Sequence, residues 1–205
     1  MIITDPEKIE ARSMEIIESE LEVDIPEENK AVVKRVIHCT ADFDYAVNLA
    51  FSECAVQKAL DALRRGCDIV TDTNMASAGI NKAAAAKLGI RIHCFMSDPD
   101  VAETAKARGC TRAVASMEKA AELKKPLIFA IGNAPTALLK LSELINEGRI
   151  SPELVIGVPV GFVNIIESKN EIMKTNAPYI VAKGRKGGSN VAAAIVNALM
   201  YQITR

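Results

Sequence analysis

The sequence predicts a three-layer α/β/α sandwich, in which a doubly wound, mostly parallel sheet of about five strands follows N-terminal helices. Two observations lead to this prediction. From residue 53 onward, short apolar runs alternate with helical patterns at the spacing of strand–helix–strand units. Hydrophobic residues make up 49% and charged residues 25% of the chain, which excludes disorder. We therefore expect one domain spanning 1–205, with helices in 1–37 and the alternating α/β core in 53–205.

Two helices are expected before the first strand. The first starts at Pro6 with Asp5 as its N-cap. Its buried stripe is predicted at helical spacing: Ile9, Ser13, Ile16, Ile17 and Leu21. Ser13 is the polar member, and a hydroxyl bonded to a backbone carbonyl would explain it. The second helix follows Pro26 and ends near His38.

The remaining elements alternate in a regular order. Strands are predicted at 67–71, 90–95, 126–131, 154–157 and 179–182. Helices are predicted at 53–65, 75–88, 99–107, 113–123, 135–147, 164–175 and 189–201. In such a sheet, ligands bind beyond the carboxyl ends of the strands.

Composition limits the classes of partner. The formal net charge is −1, so no global field attracts nucleic acid or anionic membrane. No uninterrupted apolar run is long enough to span a membrane, and the acidic start lacks a signal-peptide pattern. The five cysteines contain no C-x-x-C pair, which favours reduced thiols in a cytoplasmic protein over disulfides or a zinc site. We therefore expect no metal held by the protein, no nucleic acid and no membrane.

The segment 178–189 combines a short strand, a loop with three glycines and three cations, and the start of a helix that Ser189 could cap. Glycines allow close backbone approach, and a helix start offers free N–H groups and partial positive charge. This combination suits an anion such as a carboxylate or phosphate. A basic surface turn with a glycine cap remains the alternative, and neither a P-loop nor a G-x-G-x-x-G pattern is present.

Three other strand ends carry comparable loops, at 71–75, 132–136 and 157–162. Because all four loops follow parallel strands, they should open on one edge of the sheet and form a cleft. Of the two histidines, His93 lies within a strand and is expected to be packed there. His38 ends a helix beside a hydroxyl and two carboxylates, which makes it the candidate general acid or base, with a helix-end role as the alternative.

Together these segments resemble the precorrin-8X methylmutase (precorrin isomerase) family of cobalamin biosynthesis. The matching blocks, in order, are 35–44, 71–75, 130–138, 157–162 with 167–169, and 184–189, and the element from Asp5 to Ser13 also fits. The resemblance covers about residues 4–199. It implies migration of a methyl group from C11 to C12 of the corrin ring, giving hydrogenobyrinate, or cobyrinate when cobalt is present.

The resemblance also implies roles for residues. His38 would be the proton donor and acceptor. Residues expected to contact the substrate are Ser13, Arg35, Thr40, Asp72, Thr73, Met75, Asn133, Pro159, Gly161, Phe162, Lys183, Arg185, Gly187, Gly188 and Ser189. No cofactor is expected, because the shift is intramolecular and any cobalt belongs to the tetrapyrrole substrate. A homodimer is expected, with the N-terminal helices near the partner's cleft.

The residues alone indicate less than the resemblance. They predict an α/β enzyme with a cleft, an anion site and one acid or base. A non-catalytic corrinoid- or nucleotide-binding α/β protein remains an alternative. A doubly wound methyltransferase is disfavoured, because no glycine-rich turn with a downstream acidic residue follows the first strand. A corrinoid binder would acquire a visible absorption band, whereas a nucleotide binder would not.

Overall fold

The computed structural model describes residues 3–205, which form a six-stranded sheet flanked by helices. The helices are α1 (Pro6–Glu20), α2 (Glu27–Thr40), α3 (Tyr45–Asn48), α4 (Ala55–Arg64), α5 (Asn74–Gly79), α6 (Lys82–Lys87), α7 (Pro99–Arg108), α8 (Arg112–Ala121), α9 (Pro135–Asn146), α10 (Ile165–Lys174) and α11 (Ser189–Thr204). The strands are β1 (Leu49–Phe51), β2 (Asp68–Thr71), β3 (Ile92–His93), β4 (Leu127–Ile131), β5 (Leu154–Gly157) and β6 (Tyr179–Ala182). Within residues 3–205 no helix has the length and hydropathy needed to cross a membrane.

The sheet is parallel except at one edge. Its strand order is β1-β6-β5-β4-β2-β3, and among the strands that the structure describes only β1 pairs antiparallel, with β6. The chain leaves β2 toward β3 on one side and later enters β4 on the other, so the topological switch point lies between β2 and β4. In doubly wound sheets this point, at the carboxyl ends of the strands, is where ligands bind.

Each face of the sheet is covered by its own layer of helices. On one face, α11 packs against α2, α4, α5 and α6. On the other, α8, α9 and α10 pack side by side over apolar side chains such as Phe129 and Leu141, which are completely buried. The predicted three-layer sandwich is therefore confirmed.

Four elements differ from the sequence-based expectation. The short helix α3 was not predicted, and the strand predicted at 90–95 is limited to Ile92–His93. The short edge strand β1 was not predicted and makes the sixth strand. The predicted helix at 75–88 is two helices, because Ile80 and Asn81 interrupt it. The Asn81 side chain accepts a hydrogen bond from the Ala84 N–H at 3.0 Å and so caps the second of them, α6.

The apolar stripe predicted on α1 is mostly exposed in the single chain, so that prediction of burial was wrong. Only Ile17 is buried, while Ile9 and Ile16 are 44% and 40% exposed. Asp5 does cap this helix, accepting from the N–H groups of its first turn. Ser13 Oγ donates to the Ile9 carbonyl at 2.8 Å, the simple role considered for it.

Candidate active site

The carboxyl ends of β2 and β4 are joined by one buried carboxylate. Asp72, directly after β2, accepts hydrogen bonds from the N–H groups of Gly132, Asn133 and Ala134 at 2.9, 2.8 and 2.6 Å. Burial raises the pKa of Asp72, and the three N–H donors oppose that rise. These hydrogen bonds hold the two loops together at the switch point. The side chain of Asp72 is fully buried and does not face solvent.

The glycine-rich loop between β6 and α11 crosses the ends of the neighbouring strands at very short range. The Gly188 N–H donates to the carbonyl of Val158, after β5, at 2.8 Å. A Cβ on Gly187 would lie 2.1 Å from the same carbonyl oxygen, and a Cβ on Gly132 would lie 2.7 Å from Ser189 Cα. These positions therefore require glycine, and the loop brings the start of α11 to the end of β4.

A pair of hydroxyls connects the starts of two helices at this edge. Thr73 Oγ1 accepts from the Ala76 N–H at 3.0 Å, capping α5, and lies 2.8 Å from Ser189 Oγ. The expectation that Ser189 caps α11 was wrong. Gly188 occupies the N-cap position, and no side chain within residues 3–205 accepts from the first turn of α11.

The three cations of the loop have different surroundings. Lys186 contacts the carboxylates of Asp42 and Asp44 at 2.5 and 2.6 Å, and these contacts raise its pKa. It therefore ties the loop to the segment that follows α2. Lys183 and Arg185 are exposed and form no ion pair within residues 3–205. These two charges are the ones available to an anion.

His38 lies at the same edge because the end of α2 contacts the start of α11. The Sγ atom of Cys39 is 3.8 Å from the carbonyl oxygen of Asn190, in the first turn of α11. The imidazole of His38 is exposed and has no hydrogen-bond partner within the described part of the chain. Thr40 closes the helix by donating to the Val36 carbonyl at 2.8 Å. An imidazole with both nitrogens free can exchange a proton with a bound ligand.

Apolar side chains rim the strand ends and are open to solvent. Phe162 is 82% exposed and Met75 is 73% exposed, and Val160 and Val163 are also exposed. The guanidinium of Arg185 lies 5.5 Å from the centre of the Phe162 ring. Exposed apolar surface beside free cations suits a ligand with a flat apolar body and anionic substituents.

Ten of the fifteen predicted contact residues meet at this edge, and the other five are placed differently. Asp72 and Pro159 are at the edge, but their side chains are buried. Thr40, at the end of α2, is half-buried and donates to the carbonyl of Val36. Ser13 lies on α1. Arg35 pairs with Glu10 of α1 at 2.5 Å and lies over the ring of Tyr201, far along α11 from the loop. The residues that do meet at the edge are Thr73, Met75, Asn133, Gly161, Phe162, Lys183, Arg185, Gly187, Gly188 and Ser189.

Sequence reasoning missed one buried cation beneath this loop. Lys169 of α10 is 1% exposed, and its Nζ donates to the carbonyls of Gly184 and Lys186, each at 2.9 Å. Burial lowers the pKa of Lys169 to about 8. Its position in the block 167–169 was a signal in the sequence, but nothing there distinguished it from a solvated lysine.

The chain is similar in sequence and in structure to known proteins. The sequence model of the precorrin-8X methylmutase family matches residues 8–202. The cobalt-precorrin-8 methylmutase of Salmonella typhimurium is 46% identical over 98% of this chain and 97% of that protein. The precorrin-8X methylmutase of Pseudomonas aeruginosa is 35% identical over 96% of this chain and 96% of that protein. The crystal structure of precorrin-8X methyl mutase from Thermus thermophilus matches with a TM-score of 0.87 at 38% identity, over 94% of this chain and 96% of that one.

Proposed function

The chain belongs to the precorrin-8X methylmutase family, and we propose that His38 carries the proton in the methyl rearrangement that this family catalyses. The enzyme is an isomerase of cobalamin biosynthesis, so substrate and product have the same atoms. Protonation by His38 makes the conjugated ring poorer in electrons. The methyl group then leaves C11 as its bond to C12 forms, and the proton returns to His38.

One observation carries this proposal. His38 is an exposed imidazole at the end of α2, and the following residue contacts the first turn of α11, where the anion-binding loop ends. A proton carrier needs at least one ring nitrogen free to reach the ligand, and both nitrogens of His38 lack a partner within residues 3–205. His93, in contrast, is held by Asp68, whose carboxylate lies 3.0 Å from Nε2.

The surrounding side chains would hold the macrocycle. Lys183 and Arg185 are free cations that can bind its carboxylates as charge-assisted hydrogen bonds. Met75 and Phe162 offer apolar surface for the ring. A rearrangement within one molecule needs mainly a fixed orientation and exclusion of water, and these contacts supply orientation.

The test compares the two histidines. His38→Ala should lower turnover more than about a hundredfold, the scale of a general acid, while product affinity is largely kept. His93→Gln is the matched control and should leave turnover near that of the unmodified enzyme. Turnover is followed by the visible absorption of the corrin product, and affinity by titration with the product. Near-normal turnover of His38→Ala would remove the proposed role.

We propose further that the substrate contains cobalt. The relatives at 46% and 45% identity are named cobalt-precorrin-8 methylmutases, while the precorrin-8X methylmutases of Pseudomonas aeruginosa and Sinorhizobium are 35% and 33% identical. The reaction involves no net oxidation or reduction and needs no external methyl donor, so we expect it to need no cofactor. Assays of cobalt-loaded and metal-free substrate, with protein freed of small molecules, test both points. A preference for metal-free substrate would contradict the first, and dependence on an added factor the second.

We also propose a homodimer in which α1 contacts the partner's cleft. Support comes from the exposed apolar side chains of α1, Ile9 and Ile16, and from an open groove of about 570 Å³ that Leu21, Phe43 and Val47 help to line. A second copy covering this surface would bury it, and Ser13 on α1 could then complete the neighbouring site. Deletion of residues 1–22 should lower activity and weaken the dimer together. Sedimentation that finds a fully active monomer would contradict the proposal.

A further inference from the structure

Lys169 is a buried cation without a carboxylate partner in the described part of the chain. Its two acceptors are the carbonyls of Gly184 and Lys186, both in the loop that carries Lys183 and Arg185. Burying an ammonium group is costly even when it is hydrogen-bonded, so a buried charge at this position calls for a reason beyond packing. The position of this charge therefore points to the loop above it.

The two hydrogen bonds fix the direction of two peptide groups. In a trans peptide the C=O and N–H groups point in opposite directions. Since the carbonyls of Gly184 and Lys186 point toward Lys169, the N–H groups of Arg185 and Gly187 point away from it, toward the outer side of the loop. Neither N–H has an acceptor among residues 3–205. Two outward donors above a buried positive charge form an arrangement that suits an anion.

We propose that Lys169 is a positioning residue for substrate carboxylates, because its ammonium group turns the Arg185 and Gly187 N–H groups outward and adds its charge beneath them. This inference rests on the carboxylate-binding role proposed above for the loop. Lys169 does not touch the substrate, since it is 1% exposed. It acts through the shape and potential of the loop, and carboxylate affinity depends on its protonation.

The charge state of Lys169 should make ligand affinity depend on pH. Burial is the only cause that lowers its pKa to about 8, so no neighbouring charge dominates its titration. Charged groups on the loop, the facing segment and the adjoining helices are Lys183, Arg185, Lys186, Asp42, Asp44, Lys140, Glu143, Glu167, Glu171 and Lys174. Protonated Lys169 favours an anionic ligand. Affinity for such a ligand should therefore be highest near pH 7 and fall as the pH rises through 8 and above.

The experiment titrates the protein with cobyrinate and with its fully amidated form, which keeps the ring but lacks the carboxylates. Lys169→Met should weaken cobyrinate binding about tenfold or more at pH 7 and leave binding of the amidated form unchanged. Lys169→Arg, which keeps a charge at every pH used, should retain affinity and lose the decline between pH 7 and 9.5. Lys140→Met, at a buried lysine on α9, is the matched control and should bind both forms normally.

The results with Lys169→Met test the positioning role directly. Equal weakening of both forms in Lys169→Met, or no weakening, would overturn the positioning role. If that variant does not fold, the unmodified protein still provides the test, since cobyrinate affinity that is constant from pH 7 to 9.5 would overturn it too. Unmodified protein that binds both forms equally, with Lys183→Ala and Arg185→Ala also unaffected, would refute the carboxylate-binding loop itself and with it the role of Lys169.

Discussion

Replacing Asp72 by alanine should destabilise the protein by about 3 kcal/mol, because two buried donors lose their acceptor at about 2 kcal/mol each and relief of the buried charge returns about 1 kcal/mol. The two donors are the buried N–H groups of Gly132 and Ala134. The third, on the exposed Asn133, can bond to water. For a chain of 205 residues, this loss corresponds to a fall in Tm of roughly 6–12 °C.

Urea unfolding followed by circular dichroism measures this loss, provided that the m value is unchanged. Asp61→Ala is the control, since Asp61 forms a half-exposed ion pair with Arg64 on the surface of α4 and should contribute less than about 1 kcal/mol. Asp72→Asn keeps the shape but turns an amide NH₂ toward N–H donors, so its loss should lie between the two. If Asp72→Ala were no worse than Asp61→Ala, the carboxylate would not be what joins the two strand ends.

Four other outcomes are expected. Lys183→Ala and Arg185→Ala should raise KM, each by roughly tenfold, with little change in kcat, since we propose that both charges bind substrate carboxylates and take no part in the methyl migration; unchanged KM values in steady-state assays would contradict this. Phe162→Ser should weaken product binding in absorption titrations while stability stays within about 0.5 kcal/mol, and a large loss of stability would contradict its exposed position. The pKa of Lys169, lowered from 10.5 to about 8, means that the unfolded chain binds a proton that the folded one has lost; unfolding free energy relative to Lys169→Met should therefore rise by about 3 kcal/mol between pH 8 and 10.5, and a flat difference would refute this. Ser116→Ala should keep or raise stability by up to about 1 kcal/mol, because the buried Ser116 hydroxyl has no partner among residues 3–205, and a clear loss in urea unfolding would show that it has one.

The sequence was sufficient to predict the parallel strands and most helices, because their signals are local. An apolar run such as 126–131, followed by Pro135 at a helix start, identifies a strand and the next helix without knowledge of the fold. The strand β1 has no such signal. Leu49–Phe51 is only three residues long, and it becomes a strand because β6 offers a free edge far along the chain.

Residues of the site could be predicted from the sequence where the backbone conformation allows only one residue type. The ion pairs of long side chains could not, because they depend on how distant segments pack. Glycine is required at position 187 because the loop passes close to the carbonyl of Val158, and a cluster of glycines in a sequence indicates such a close approach. Arg185 and Lys186 are adjacent cations in the sequence, which does not show which of them is available to a ligand. In the structure Lys186 pairs with two carboxylates and Arg185 is free. Arg35, expected at the substrate, forms an ion pair with Glu10 of α1. This pairing depends on how α1 packs against α2, which the sequence does not show.

The packing of α2 against α11 also has a consequence for protein synthesis. Cys39 of α2 and Asn190 of α11 touch although 151 positions separate them in the chain. At a translation rate of about 5–20 residues per second, α2 waits roughly 8–30 s for its partner helix to be made. Its side chains Val32 and Val36, completely buried in the finished fold, are without that cover during this time. The nascent chain therefore exposes the apolar face of α2 until α11 has been made, and chaperones that bind exposed apolar segments would act in this interval.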